Sequence, residues 1–499
     1  MISKLLPAFI VLFVMVFGGD FEEGIAAYNA GDHQKAAAFF EKAAEHGDVN
    51  AQNNLGVMYE NGKGVKQDYQ KAAALFLKAS EHGDADAHYN LAVMYAHGKG
   101  VTQDDQKAAE FYQKAADRGI AAAQTILGGM YQHGRGVRQD YHKAAEYYKK
   151  AVMQGDADAH YNLGVMYDHG EGVKQDYSKA AALYRKAADQ GIVAAQTNLG
   201  SMYLDGQGVK QDYQKAAALF RKAADQGHAT AQTILGMMYE YGQGVRQDDQ
   251  KAAECYRKAA DQGIGEVQAI LGVMYQNGRG VRQDDQKAAE CYRKAADQGV
   301  AEAQTNLGDM YLEGQGVRQD YQKAAALFRK AAEQGHARAQ TILGMMYQNG
   351  HGIQQDYQKA VECYREAAKQ GYAMAQSNLG DMYLDGQGVR KDYQKAAELY
   401  RKAAKQGIAR AQYYLGVMYL KGQGMQPDDQ KAALFLQKAA DQGAARAQTD
   451  LGDMYLHGRG VKQDDQKAVE LYRKAAEQGF PKAQYTLDIL CKENPSLCK

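Results

Sequence analysis

His97, His133 and His169 stand thirty-six residues apart, and imidazole is among the commonest side-chain ligands for zinc and copper. Metal ligands must converge on one point, whereas neighbours in a stacked helical array lie about a helix-packing distance apart, ~8–10 Å or more. The three histidines therefore predict an edge decoration, and no metal is expected. Methionine recurs at the Met58 position in twelve copies, a spacing that suits core packing rather than a copper relay. The Asp68 carboxylate also returns every thirty-six residues, through Asp104 and Asp140 to Asp464. Each copy stands just before an apolar helical stripe, where a carboxylate accepts from exposed first-turn amides. Capping, and not acid–base chemistry, is its expected role.

Motifs that carry catalysis are missing from the repeats: no Ser-x-x-Lys, Gly-x-Ser-x-Gly, His-Glu-x-x-His or P-loop pattern occurs within them. The Gly-x-Gly of Gly62-Lys63-Gly64 lacks the preceding strand that a nucleotide-binding turn requires. The reading is a non-enzymatic protein without a cofactor. Lys plus Arg equals Asp plus Glu at 60 each, which removes the basic footprint of a dedicated nucleic-acid binder. Of the five cysteines, Cys255, Cys291 and Cys363 fill a position held elsewhere by Leu75, Phe111, Leu219 or Leu327, as small buried hydrophobes would. Cys491 and Cys498 flank a short segment turned by Pro495, and in an exported chain they are expected to form a disulfide.

Export itself is expected from the N-terminus. Lys4 precedes an apolar run from Leu5 to Phe17, followed by Gly18 and Gly19, the order of a secretory signal over residues 1–19. The run is short against the ~20 apolar residues of a membrane span, so an uncleaved inner-membrane anchor is the alternative. The expected location is the periplasm or the outside of a bacterial cell.

The elements that position these residues follow from one interval. Leu55-Gly56 returns, as Leu91-Ala92 and then as Leu-Gly at Leu127, Leu163 and onward to Leu451, without insertion or deletion, the mark of one helical unit stacked on its copies. Ala51, Leu55 and Met58 give the apolar stripe of a helix A over residues 49 to 60, and Ala72, Leu75, Phe76 and Ala79 that of a helix B from Asp68 to Gly83. Gly62 and Gly83 suit helix C-caps, and Gly64 a sharp loop. Gly56 lies inside helix A at a cost of ~1 kcal/mol relative to alanine, which implies close approach of a neighbouring helix backbone. Val65 is expected to pin the loop between the helices. One repeat offers about six large apolar side chains, too few to offset its backbone entropy at ~1–2 kcal/mol per residue. Stability must then come from contacts between repeats. The organisation predicted is a capping helix pair over 20–48, twelve complete repeats over 49–480, and a capping helix and tail over 481–499.

The run Ala-x-Ala-Gln-x-x-Leu-Gly-x-Met-Tyr-x-x-Gly-x-Gly-Val-x-Gln-Asp-Tyr-x-Lys-Ala-Ala, at positions such as Ala195 to Ala217, resembles the Sel1-like repeat, a relative of the tetratricopeptide repeat with a longer loop. The resemblance covers nearly the whole chain after the leader. It implies an all-α solenoid, a right-handed α/α superhelix, acting as an adaptor for other proteins or extended peptide segments. A cysteine-rich branch of the family binds penicillin or hydrolyses β-lactams, which stands as the alternative function. The per-repeat cysteine pair of that branch is absent here, so its activity is not carried over.

Specificity in a repeat protein sits at positions that vary between repeats. On helix A these are the positions of Asn53, Asn54, Val57 and Glu60, a stripe expected to line the concave side. The first holds Tyr89, Tyr161 and Tyr413. The third holds Asp309, Asp381 and Asp453, each followed three residues later by Leu312, Leu384 or Leu456. These nine residues are the candidate protein-binding set, with tyrosine favoured for its large contact area and few rotatable bonds.

Overall fold

The computed structural model describes residues 19–498. Twenty-seven α-helices, one 3₁₀ turn and no strand lie among them; apart from Gly19 the expected leader falls outside the described residues. Contacts divide the chain into two compact units between Gln247 and Asp248. The first holds helices 19–29 and His33–Glu45, then A and B helices in alternation from Val49–Asn61 and Tyr69–Glu81 to the A helix Ala229–Tyr241. The second opens with the B helix Asp249–Ala260 and continues from Gly265–Asn277 and Asp285–Asp297 to Ala445–His457 and Asp465–Glu477. It closes with the A helix Pro481–Glu493 and the 3₁₀ turn Pro495–Cys498. No helix among the described residues is long and apolar enough to cross a membrane.

Local chemistry sets these boundaries. Asp68 accepts from the amides of Gln70 and Lys71, and its equivalents through Asp464 cap their B helices likewise. Helix A ends at Gly62 in the left-handed conformation (φ 66°), with its amide on the Met58 carbonyl. The connecting loop satisfies the other carbonyls left at this helix end. Lys63 N–H donates to Met58, Asp68 N–H to Tyr59, and the Gln67 side chain to Glu60. Val65 packs into a cluster that contains Phe40 of the preceding helix together with Leu55 and Met58, so the loop is anchored between successive repeats rather than within one.

The glycine inside helix A differs from expectation. A Cβ at Gly56 would stand 2.7 Å from the Phe76 ring, and one at Gly416 would stand 2.8 Å from Leu436 Cγ. A large B-helix side chain of the same repeat fills the space, not a helix backbone, and Ala92 is the one tolerated methyl, fully buried beside Tyr112. The true backbone approach is at the second loop glycine. A Cβ at Gly100 would lie 2.1 Å from the Tyr69 carbonyl oxygen of the preceding repeat, and its φ of 68° independently favours glycine.

The core lies between repeats. One cluster joins Ala108, Tyr112 and Ala115 of a B helix to Ala123, Leu127 and Met130 of the next A helix, and the second compact unit repeats this with Ala288, Tyr292 and Ala295 against Ala303, Leu307 and Met310. Alanine at most contact points lets the helices approach closely. Cys255, Cys291 and Cys363 are half-buried rather than fully buried, and burial pushes the Cys291 and Cys363 thiols up to about 11. Cys491 is disulfide-bonded; the side chain of Cys498, its expected partner, lies outside the described residues.

A buried polar relay accompanies this core. Gln304 Nε2 donates to the Ala296 carbonyl of the previous B helix, and its Oε1 accepts from Gln334 Nε2 at the end of its own B helix, at 3.2 and 2.9 Å. The same pair of bonds recurs at Gln124 with Gln154, Gln340 with Gln370, and Gln448 with Gln478. At Gln52 the relay is broken: His82 occupies the donor position, and Gln52 Oε1 is buried without a partner. An unsatisfied buried acceptor costs ~1–3 kcal/mol. His82→Gln should therefore raise the unfolding free energy of the first compact unit by about 1 kcal/mol, seen as a higher urea midpoint. Gln304→Leu, which removes two hydrogen bonds while the Ala296 carbonyl keeps the Gly299 amide and Gln334 keeps the Lys330 carbonyl, should lower that of the second by about 1 kcal/mol. Chemical denaturation followed by circular dichroism checks both.

Candidate binding face of the A helices

The B-helix position of Phe76 controls much of what the A helices present. Where it is tyrosine, a ring inside the core brings a hydroxyl that needs an acceptor. Tyr148, Tyr292 and Tyr364 donate to Gln132, Gln276 and Gln348 at 2.7–2.8 Å, and these glutamines occupy the Glu60 position of their repeats. Leucine stands at that position in Leu384 and Leu456, and the acceptor moves back three residues. Tyr400 donates to Asp381 at 2.5 Å and Tyr472 to Asp453 at 2.6 Å. The coupling of Asp381 with Leu384, and of Asp453 with Leu456, thus has an internal cause. Leu312, Leu384 and Leu456 themselves are half-buried against core clusters.

Each candidate aspartate also meets a cation from the second position of the next A helix. Arg338 reaches Asp309 at 2.6 Å, Arg410 reaches Asp381 at 2.5 Å, and Lys482 reaches Asp453 at 2.8 Å. Asp309 lies in a repeat whose B helix carries Phe328, so its recorded partner is Arg338, which also donates to Asn306. The structure thus ties the three carboxylates between repeats, and Asp381 is buried at 7% exposure. These cations were missed in the sequence. The available signal was opposite charge 29 residues downstream of each aspartate, a separation shorter than the repeat and so invisible to a comparison of equivalent positions.

The three tyrosines remain on the face, half-buried. Tyr89 meets Tyr112 edge-on at 5.8 Å, and Tyr161 meets Tyr184 at 5.9 Å. Tyr413 donates to Asp450 Oδ2 at 3.2 Å, and burial followed by that carboxylate pushes its phenol up to about 12. A cleft of about 470 Å³ opens between Ala409–Lys421 and Ala445–His457; Tyr413, Val417 and Leu420 form one wall, with Met454, Asp450 and Asp453 opposite. Tyr413 and Asp453 are thereby brought to one site, whereas Tyr89 and Tyr161 belong to the other compact unit. His97, His133 and His169 end their A helices at exposed positions.

Comparisons with known proteins place this architecture. The family description "Sel1 repeat" matches residues 21–48, consecutive segments from 49–84 through 409–443, and 445–480. The chain is similar to a protective antigen present in uropathogenic Escherichia coli strains, described as displaying an SLR fold. Identity is 35%, covering 91% of this chain and 97% of that one, with a TM-score of 0.80. It is also similar to a Sel1 repeat protein from Oxalobacter formigenes, at 36% identity over 62% of this chain and 89% of that one, with a TM-score of 0.51. No curated protein matches.

The inter-repeat aspartates set a pH dependence. Burial, opposed by the adjacent guanidinium, pushes the Asp309 and Asp381 carboxyls up to about 6 from 3.8. A carboxyl raised in the folded state binds its proton there before the unfolded chain does, so stability grows as pH falls from about 6.5 toward 4 and is lost as pH rises through 6. Capping aspartates such as Asp212 and Asp320 run the other way. Backbone amides hold their carboxyls below the usual range, so their contribution fades only in stronger acid. The second compact unit should gain on the order of 2 kcal/mol between pH 7.5 and 5. Asp381→Asn should flatten that rise, as read from urea midpoints across pH.

Proposed function

Because the chain belongs to the Sel1 repeat family, a helical scaffold type typical of protein binding and largely non-catalytic, we propose that it is an exported bacterial adaptor. Its A helices present a preformed surface to a partner protein or extended segment. The observation that carries this reading is the cleft between Ala409–Lys421 and Ala445–His457. There, half-buried Tyr413, Val417 and Leu420 and buried Met454 form apolar walls beside charged groups, on helices closed by the C-cap glycines Gly422 and Gly458 and tied by inter-repeat bonds. A rigid surface of this kind binds without a large ordering cost, and an aromatic anchor in a partly desolvated recess is the usual centre of binding energy.

Export fits the sequence of residues 1–19 and the similarity to an antigen of a pathogenic E. coli. We assign residues 20–48 as the N-terminal cap, 49–480 as twelve complete repeats and 481–499 as the C-terminal cap, with Cys498 as the disulfide partner of Cys491. The candidate aspartates keep their place at the edge of the face, where each ion pair orients one repeat on the next.

A photo-crosslinking amino acid at Tyr413, introduced into the chain in its native envelope and resolved by mass spectrometry, should give a discrete protein adduct. Val417→Lys with Leu420→Lys should abolish that adduct with the thermal midpoint changed by less than about 3 °C. Absence of any adduct at Tyr413, or an adduct indifferent to the double substitution, would remove the cleft as the docking site.

A further inference from the structure

We propose that the A-helix face of the first compact unit, centred on Gly129, docks an extended lysine- or arginine-bearing segment of a partner protein. This rests on the scaffold reading above and adds the chemistry of the partner. Charge is segregated here although the chain as a whole is neutral. The six A helices from Val49–Asn61 to Ala229–Tyr241 contain no lysine or arginine, yet carry Glu60, Asp86, Asp158, Asp168, Asp205 and Glu240. In the second compact unit, by contrast, Arg338, Arg410 and Lys482 neutralise the equivalent faces. Two loop cations of the first unit are engaged: Lys99 lies 3.9 Å from Glu60 and over the Tyr69 ring, and Arg135 pairs with Asp105 at 3.3 Å.

Two A helices with one repeat between them share a motif. Ala85–His97 presents Asp86, Tyr89 and Val93, and Ala157–His169 presents Asp158, Tyr161 and Val165, each at i, i+3 and i+7 on one face. Asp86 and Asp158 are exposed and have no ion pair or side-chain hydrogen bond among the described residues. A carboxylate one turn from a tyrosine ring suits an ammonium or guanidinium head, and the valine suits the aliphatic stem below it.

Between these helices lies Gly129, which packing does not explain. A Cβ there would meet only the Tyr148 hydroxyl, at 3.5 Å, an ordinary contact, and the residue is not among the glycines of positive φ. Glycine inside a helix weakens it relative to alanine, and the same position holds exposed Met237 and Met345 in other repeats. A bare helical surface admits another main chain at close range. Asp158 flanks it, since the equivalent positions of Arg338 and Asp309 are in direct contact.

The test is fluorescence anisotropy of the full chain with three labelled peptides of equal length, in which lysine and arginine, glutamate, or serine alternate with the same apolar residues. The basic peptide should bind tightest and weaken with added salt. Asp86→Asn with Asp158→Asn should weaken it about tenfold, as the loss of two ion pairs implies. Gly129→Met should weaken it by a similar factor while leaving the urea midpoint unchanged or higher. The proposal is overturned if the basic peptide binds no tighter than the glutamate peptide, or if both variants bind it as the parent chain does. Equal binding of the serine peptide, lost on Tyr413→Ala, would overturn the charge assignment and leave the scaffold reading standing.

Discussion

The second glycine of each loop rests on the carbonyl that begins the preceding B helix, as Gly100 does on Tyr69 and Gly388 on Tyr357. No side chain fits there, and the glycine also holds a positive φ. Backbone against backbone leaves no flexible side chain to absorb a change of length, which accounts for an interval of thirty-six residues kept without insertion or deletion. Once that contact is made, Val65 and its equivalents enter the inter-repeat core, and each A helix is set at a fixed height against the previous B helix. The glutamine relay and the aspartate–cation pairs depend on that height, because both join residues of different repeats over a few ångströms.

Features written in neighbouring residues were legible from the sequence. Asp68 and Gly62 act on amides and carbonyls within a few positions, so their roles followed from residue type and spacing. The stacking of A and B helices followed from periodicity. Features that depend on which repeat faces which were not legible. Gly56 was seen to need space, but whether a backbone or the Phe76 ring took that space requires the crossing of two helices. Gln52 and its copies were visible as a recurrent residue without an evident function, since the Ala44 carbonyl it reaches belongs to another helix.

The candidate face shows the same division more sharply. Variation between repeats marked Asp309, Asp381 and Asp453, yet part of that variation compensates changes elsewhere in the fold: Tyr400 and Tyr472 need an acceptor that Leu384 and Leu456 cannot supply. A variable position in a repeat array therefore carries two signals, one for partners and one for the neighbouring repeat, and only side-chain contacts separate them. Tyr413 differs from them in that it lines an open cleft while its hydroxyl is held by Asp450.

The pairing of Asp309 with Arg338, Asp381 with Arg410 and Asp453 with Lys482 alternates along the chain, acid in one repeat and base in the next. Between Asp309 and Lys482 this order limits the step in which copies can be gained or lost without breaking a pair. An unequal crossover that added or deleted a single copy would bring acid beside a mismatched neighbour, whereas one spanning two copies would restore every pair. The limit holds only from Asp309 to Lys482, since the A helices of the first compact unit hold no lysine or arginine and a single copy could be gained or lost there without breaking such a pair.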